Sequence, residues 1–141
     1  MSKIAVVYWS GTGNTEAMAN AVLEGAKEAG ADATLFTSAD FNDTMVDSFD
    51  AIAFGCPSMG SEQLEESEFE PMFTSCESKL SGKKIALFGS YGWGGGEWMQ
   101  TWEATCQGDG AVMVHASVIC NGAPDDDALA DCKALGAAVA G

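Results

Sequence analysis

The sequence predicts an α/β fold: a three-layer sandwich in which helices cover both faces of a five-stranded parallel sheet. Three observations carry the prediction. Short runs such as "KIAVVYW" (3–9) and "AIAFGC" (51–56) are apolar without alternation, as strands buried on both faces of a parallel sheet must be. Stretches with apolar residues at helical spacing alternate with those runs. The segments after the strands are rich in glycine, serine and threonine, the composition of sharp loops that carry polar contacts.

The elements follow in order. Residues 3–9 form the first strand, and "TEAMANAVLEGAKEAG" (15–30) a helix with Met18, Val22 and Ala26 on one face and Gly30 as its stop. "DATLFT" (32–37) and "AIAFGC" (51–56) are the second and third strands. "EFEPMFTSCESKL" (68–80) reads as a short helix, with Pro71 in the first turn, where a missing N–H costs least. "KKIALFGS" (83–90) is the fourth strand, and "GEWMQTWEATCQG" (96–108) a helix with Trp98 and Trp102 on one face. "AVMVHASVI" (111–119) is the fifth strand, and 125–140 a closing helix with Asp125 as N-cap. No repeat, low-complexity tract or linker interrupts the chain, so one domain is expected over residues 1–141.

Composition bounds the function. A length of 141 residues with 47% hydrophobic content supports one packed core rather than disorder. No run approaches the ~18 apolar residues of a membrane span. The first strand begins directly after Met1-Ser2-Lys3, so no signal peptide is read and a soluble cytoplasmic protein is expected. The net charge is −15, with 21 acids against six lysines and no arginine. Nucleic acids and anionic membrane surfaces are therefore poor partners, whereas basic protein surfaces are steered inward. The same acidity also keeps a small protein soluble. Five cysteines at irregular spacing contain no C-x-x-C, so zinc and iron–sulfur motifs lack their ligands. Reduced, structural thiols and no metal site are expected.

Ligands of α/β sheets bind outside the carboxyl ends of the strands, and the unusual loops lie there: 10–15, 57–62, 90–96 and 121–124. The first, Ser10-Gly11-Thr12-Gly13-Asn14-Thr15, offers three hydroxyls, an amide and backbone N–H groups at a helix start, which together make an anion site. The lysine of a Walker A loop is absent, and so is the third glycine of a dinucleotide fingerprint. With no cation beside it, the loop suits a phosphate monoester held by neutral donors.

"VVYWSGTGNTEAMA" (6–19) resembles the flavodoxin phosphate-loop signature. Strand count, loop positions and length extend the resemblance along the whole chain. It is of the short-chain type and is similar to flavodoxins of anaerobic, clostridia-like bacteria. Their characteristic segments stand here as Met59-Gly60-Ser61-Glu62 and Gly89-Ser90-Tyr91-Gly92-Trp93-Gly94. The resemblance implies strand order 2-1-3-4-5, FMN as cofactor, and electron transfer rather than catalysis. It implies as partners redox proteins with basic docking surfaces, namely flavodoxin or ferredoxin reductases and hydrogenase- or nitrogenase-type acceptors. A monomer is expected.

The site follows residue by residue. Residues Ser10 to Thr15 would hold the phosphate. Trp93 would stack on the outer face of the flavin and the Met59 thioether would meet the inner face. Ser58, Ser90 and Tyr91 join the same set, and Gly92 and Gly94 would bring backbone N–H groups to the O2/N1 edge. Glu62 would accept from N3–H by resemblance alone. Glu65, Glu66, Glu68 and Glu70 read as a solvated acidic face. The resemblance further implies that the Gly60–Ser61 peptide turns over on reduction and stabilises the semiquinone; Gly60 adopts either conformation cheaply, Ser61 less so. Addition of a second electron meets a protein already at −15, where two charges 8 Å apart still repel by about 2 kcal/mol. The semiquinone/hydroquinone couple is therefore expected to be the working one. Relatives often place a Ser or Thr two positions before the methionine to reach the phosphate; here Pro57 stands there, followed by Ser58.

Two other classes compete. A small FMN-dependent NAD(P)H reductase of the same fold would need space for a nicotinamide where Trp93 should lie. A phospho-receiver domain would need acidic strand ends, yet the first strand ends in Trp9-Ser10 and the third in Cys56-Pro57. His115, the single histidine, is read inside the fifth strand and given no chemistry.

Overall fold

The first strand, Lys3–Tyr8 (β1), is buried at every position after Lys3, as its unbroken apolar run predicts. In the computed structural model, which describes residues 2–59, 63–92 and 94–141, it lies between Asp32–Thr37 (β2) and Ala51–Gly55 (β3). Lys84–Tyr91 (β4) pairs with β3 on the far side. All pairings in the sheet are parallel, and the order is β2-β1-β3-β4-β5. The helices are Asn14–Glu28 (α1), Phe69–Cys76 (α2), Glu97–Gly108 (α3) and Asp126–Ala140 (α4).

Successive strand residues point to opposite faces, and two cores result. Ile4, Val6, Ala51, Ala53 and Ala86 pack with Met18, Val22 and Ala26 of α1 and Leu135 and Val139 of α4. The three alanines leave space for helices on that face. Gly136 brings α1 and α4 into backbone contact: a Cβ there would stand 2.0 Å from the Val22 carbonyl oxygen. On the other face Ile52, Phe54, Ile85 and Leu87 meet Phe69 and Phe73 of α2 and Trp98 and Trp102 of α3. Both tryptophans are packing residues, as their spacing predicts.

Two boundaries differ from expectation. The helix expected over 68–80 ends at Cys76 and tightens into a 3-10 turn, Glu77–Lys79. The fifth strand expected over 111–119 divides into Val112–Met113 (β5) and Val118–Asn121 (β6), both paired with β4. Ile85 faces Met113 and Phe88 faces Val118, so three steps along β4 match five along its neighbour. The two extra residues form a bulge, which an edge strand tolerates. His115 lies in that bulge rather than inside a strand, with Nδ1 2.7 Å from the Ala116 carbonyl oxygen. Ser117 is tied to α3 by a 2.6 Å bond to Glu103 Oε2.

All five cysteines are unpaired thiols, four of them buried. Among the described residues no helix is long and apolar enough to cross a membrane, and no cluster of three His, Cys, Asp or Glu is placed to hold a metal.

Candidate functional site

An all-parallel sheet sends every strand's carboxyl end, and every following helix's N-terminus, to one edge. Four loops meet there. The loop after β1 is held by its own side chains: Gly13 N–H donates to Ser10 Oγ at 3.0 Å. Gly13 has φ 96°, a left-handed conformation for which glycine is suited. It stands at the N-cap of α1, which has no side-chain cap, whereas Asp125 Oδ1 caps α4 by accepting Ala128 N–H at 2.8 Å. The positive end of α1 is thus left for an anion.

Hydrogen bonds join the remaining loops to the first. Thr15 Oγ1 and Ser90 Oγ, both buried, lie 3.1 Å apart and link α1 to the end of β4. Ser58 N–H donates to the Ser90 carbonyl at 3.0 Å, and Gly122 N–H to the Tyr91 carbonyl at 2.8 Å. The result is one open cavity. Gly11, Thr12 and Asn14 line one end; Ser58 and Met59 line another wall; Ser90, Tyr91 and Gly92 close the third. Ser10, Gly13 and Thr15 are not part of that lining: the Ser10–Gly13 hydrogen bond braces the loop, and buried Thr15 ties it to Ser90. Gly94 follows with φ 83°. Gly60, Ser61, Glu62 and Trp93, and with them the proposed flip, N3–H acceptor and outer wall, lie outside the described residues.

Three further residues line the cavity: Pro57 and Gly122, which lie in loops expected to meet a ligand but are not among the assigned contacts, and Trp9, which lies outside those loops. Trp9 is half-buried, and its ring lies over Gly11, where a Cβ would come within 3.0 Å of Cη2. Its signal in the sequence is an aromatic residue at the exposed end of a buried strand. Pro57 lines the cavity itself, and Ser58 beside it has a buried hydroxyl with no partner among the described residues. That orphaned hydroxyl, the uncapped helix and the absence of lysine from the lining fit a phosphate monoester held by neutral donors. Met59 and Tyr91 add apolar surface for a flat ring, so these residues fit FMN. Cys56 at the end of β3 is fully buried; burial pushes its thiol far above the usual range, so it is inert.

Glu65 does not belong to the solvated acidic face with Glu66, Glu68 and Glu70: it is buried, 6% exposed, and hydrogen-bonded by backbone donors. The other three are exposed.

Comparison with known proteins agrees with this architecture. The family model described as flavodoxin matches residues 6–136. The chain is 51% identical over 140 residues to the flavodoxin of Megasphaera elsdenii, covering 97% of this chain and 98% of that one. It is 46% identical over 135 residues to the flavodoxin of Clostridium beijerinckii, covering 96% and 97%. The solution structure of two-electron reduced Megasphaera elsdenii flavodoxin superposes with a TM-score of 0.90 at 50% identity, covering 97% of this chain and 98% of that one. The chain belongs to the flavodoxin family, whose members carry electrons on bound FMN.

Proposed function

We propose that this protein is a low-potential, one-electron carrier that works mainly between the one- and two-electron-reduced states of its FMN, in the cytoplasm and as a monomer. The observation that carries the reading is the convergence of an uncapped, hydroxyl-rich helix N-terminus with the Met59 and Gly92 loops in one cavity. Bound FMN supplies reversible one-electron chemistry. The chain supplies its placement: Ser10, Thr12, Asn14 and Ser58 offer donors to the phosphate end, and Met59 an apolar wall to the ring. We assign the outer wall to Trp93, the ring-edge contacts to Glu62, Gly92 and Gly94, and an adjustable carbonyl to the Gly60–Ser61 peptide. The lack of any lysine along the cavity, inside a chain of net charge −15, supports a costly second reduction and hence a strongly reducing carrier. Redox proteins with basic docking surfaces are the partners that such a charge suits.

The test is anaerobic, stepwise reduction of the purified protein followed through the visible spectrum, with the released flavin identified. Bound FMN, with a one-electron-reduced spectrum at half reduction, is the expected result. A protein that rejects added FMN, or one reduced by NAD(P)H alone without a reductase, would overturn the reading.

A further inference from the structure

Glu65 holds a position that its neighbours do not. Its carboxylate accepts four hydrogen bonds: Ser67 N–H at 2.8 Å and the Ser67 hydroxyl on Oε2, Glu68 N–H at 2.7 Å and Phe69 N–H at 2.9 Å on Oε1. These donors are the entry to α2, whose N-cap residue Glu68 makes no side-chain cap of its own. Taking a carboxylate out of water is costly unless it is matched by donors, and here the match is complete.

The backbone of Glu65 closes a circuit. Its N–H donates to Cys56 Sγ at 3.4 Å, and its carbonyl accepts Glu70 N–H at 2.8 Å. Cys56 is itself fixed, with its N–H on the Phe88 carbonyl at 3.1 Å and its carbonyl accepting Trp98 Nε1 at 3.2 Å. The chain that leaves β3 at Cys56 therefore returns to Cys56 at Glu65. Inside that circuit Met59 and Gln63 exchange two backbone hydrogen bonds, of 2.8 and 2.9 Å. Met59 also lines the cavity wall.

We propose that Glu65 is a positioning residue for the flavin: its buried carboxylate ties the base of the 57–64 loop to α2 and so fixes the placement of the Met59 wall. The inference rests on the FMN-carrier reading. Without the carboxylate the loop must be ordered by FMN itself, which weakens binding and alters the first one-electron couple, the step to which we assign the adjustable Gly60–Ser61 carbonyl.

Two simpler roles make different predictions. A plain helix cap would loosen α2 alone. A plain charge effect would be reproduced at Glu68, which is exposed nearby and carries the same charge. The experiment compares Glu65→Gln and Glu68→Gln with the parent, by amide hydrogen exchange in the FMN-free protein and by FMN affinity and both one-electron potentials in the loaded one. Loss of a charge-assisted hydrogen bond implies exchange at Met59 and Gln63 about ten- to a hundredfold faster in Glu65→Gln. FMN affinity should fall by about the same factor, and the first potential should shift. Glu68→Gln should leave exchange and affinity at the parent's values.

Unchanged exchange at Met59 and Gln63, or effects matched by Glu68→Gln, would overturn the proposal. Should Glu65→Gln fail to fold, Ser67→Ala removes one donor from the same carboxylate. It should give a smaller change of the same pattern, and no change there would also overturn it. Exchange is read without flavin, so a parent protein that refuses FMN would sink the carrier reading separately.

Discussion

At the scale of single residues, a buried hydroxyl without a partner is an unfinished hydrogen bond. Ser58 Oγ is such a group, set between Pro57 and Met59 on the cavity wall. Leaving a buried donor unsatisfied costs about 1–3 kcal/mol, and a new partner recovers part of it. Ser58→Ala should therefore leave the FMN-free protein as stable or up to about 1 kcal/mol more stable, while weakening FMN up to about tenfold. Urea denaturation of the FMN-free protein and a fluorescence titration with FMN measure the two effects. Equal loss of stability and of affinity would place the hydroxyl in the fold rather than at the ligand. Ser58 was legible in the sequence because it sits at a fixed offset from Met59 in a recognisable loop. Glu65 was not: four neighbouring acids look alike until Cys56 and α2 converge on one of them, and that convergence is tertiary. Trp9 was missed for a related reason, since only the return of the chain at Gly11 shows that its ring faces the cavity.

At the scale of elements, the buried strands were legible because both their faces are covered, which forces long apolar runs. The edge was not. "AVMVHASVI" is apolar enough to read as one strand, yet only contact with β4 and α3 decides where it bulges. The 3-10 turn after α2 carries a second consequence that local pattern hides. Burial, then the hydrogen bond and charge of Asp109, then the charge of Glu70, push the Glu77 carboxyl up to about 7. Asp109 Oδ2 is buried and has no partner among the described residues unless Glu77 carries a proton to share. The sign follows from the raised value. The folded state holds this proton up to about pH 7 and the unfolded chain only up to about 4.5, so the contribution is complete below 4.5 and is lost as the pH rises to 7. Glu77→Gln should match the parent near pH 4 and exceed it by about 1 kcal/mol at pH 8, a value discounted for the partial exposure of the site. Denaturation midpoints at the two pH values measure it. Parallel pH profiles for parent and variant would dismiss the shared proton.

At the scale of the whole molecule, the parallel sheet sorts charge as well as loops. Every helix starts at the cavity edge, and each has an acidic first turn: Glu16, Glu70, Glu97, and Asp126 with Asp127. Each such residue favours the positive end of its own helix. The lysines collect elsewhere. Lys3 and Lys84 begin strands, Lys27 lies in the last turn of α1, and Lys79 and Lys83 lie between α2 and β4, all toward the opposite edge; Lys133 lies within α4 and pairs with Glu24 and Glu28. Five of the six lysines thus sit at the far edge beside Glu28, Asp32, Asp47 and Asp50, so the uncompensated part of the −15 net charge lies toward the cavity edge. That excess should turn a basic partner toward the cavity before contact, and salt should weaken the effect as the Debye length shrinks from about 30 Å at 0.01 M to about 10 Å at 0.1 M. Electron transfer to a basic redox partner, followed by anaerobic stopped flow, should slow about tenfold or more over that range. The polarity itself is tested by position. Neutralising Asp126 and Asp127 together should lower the low-salt rate more than twice as much as neutralising Asp32, which is exposed at the start of β2 on the far edge. Equal effects per charge at the two edges would mean that total charge alone attracts the partner. A rate indifferent to salt would remove electrostatic steering altogether.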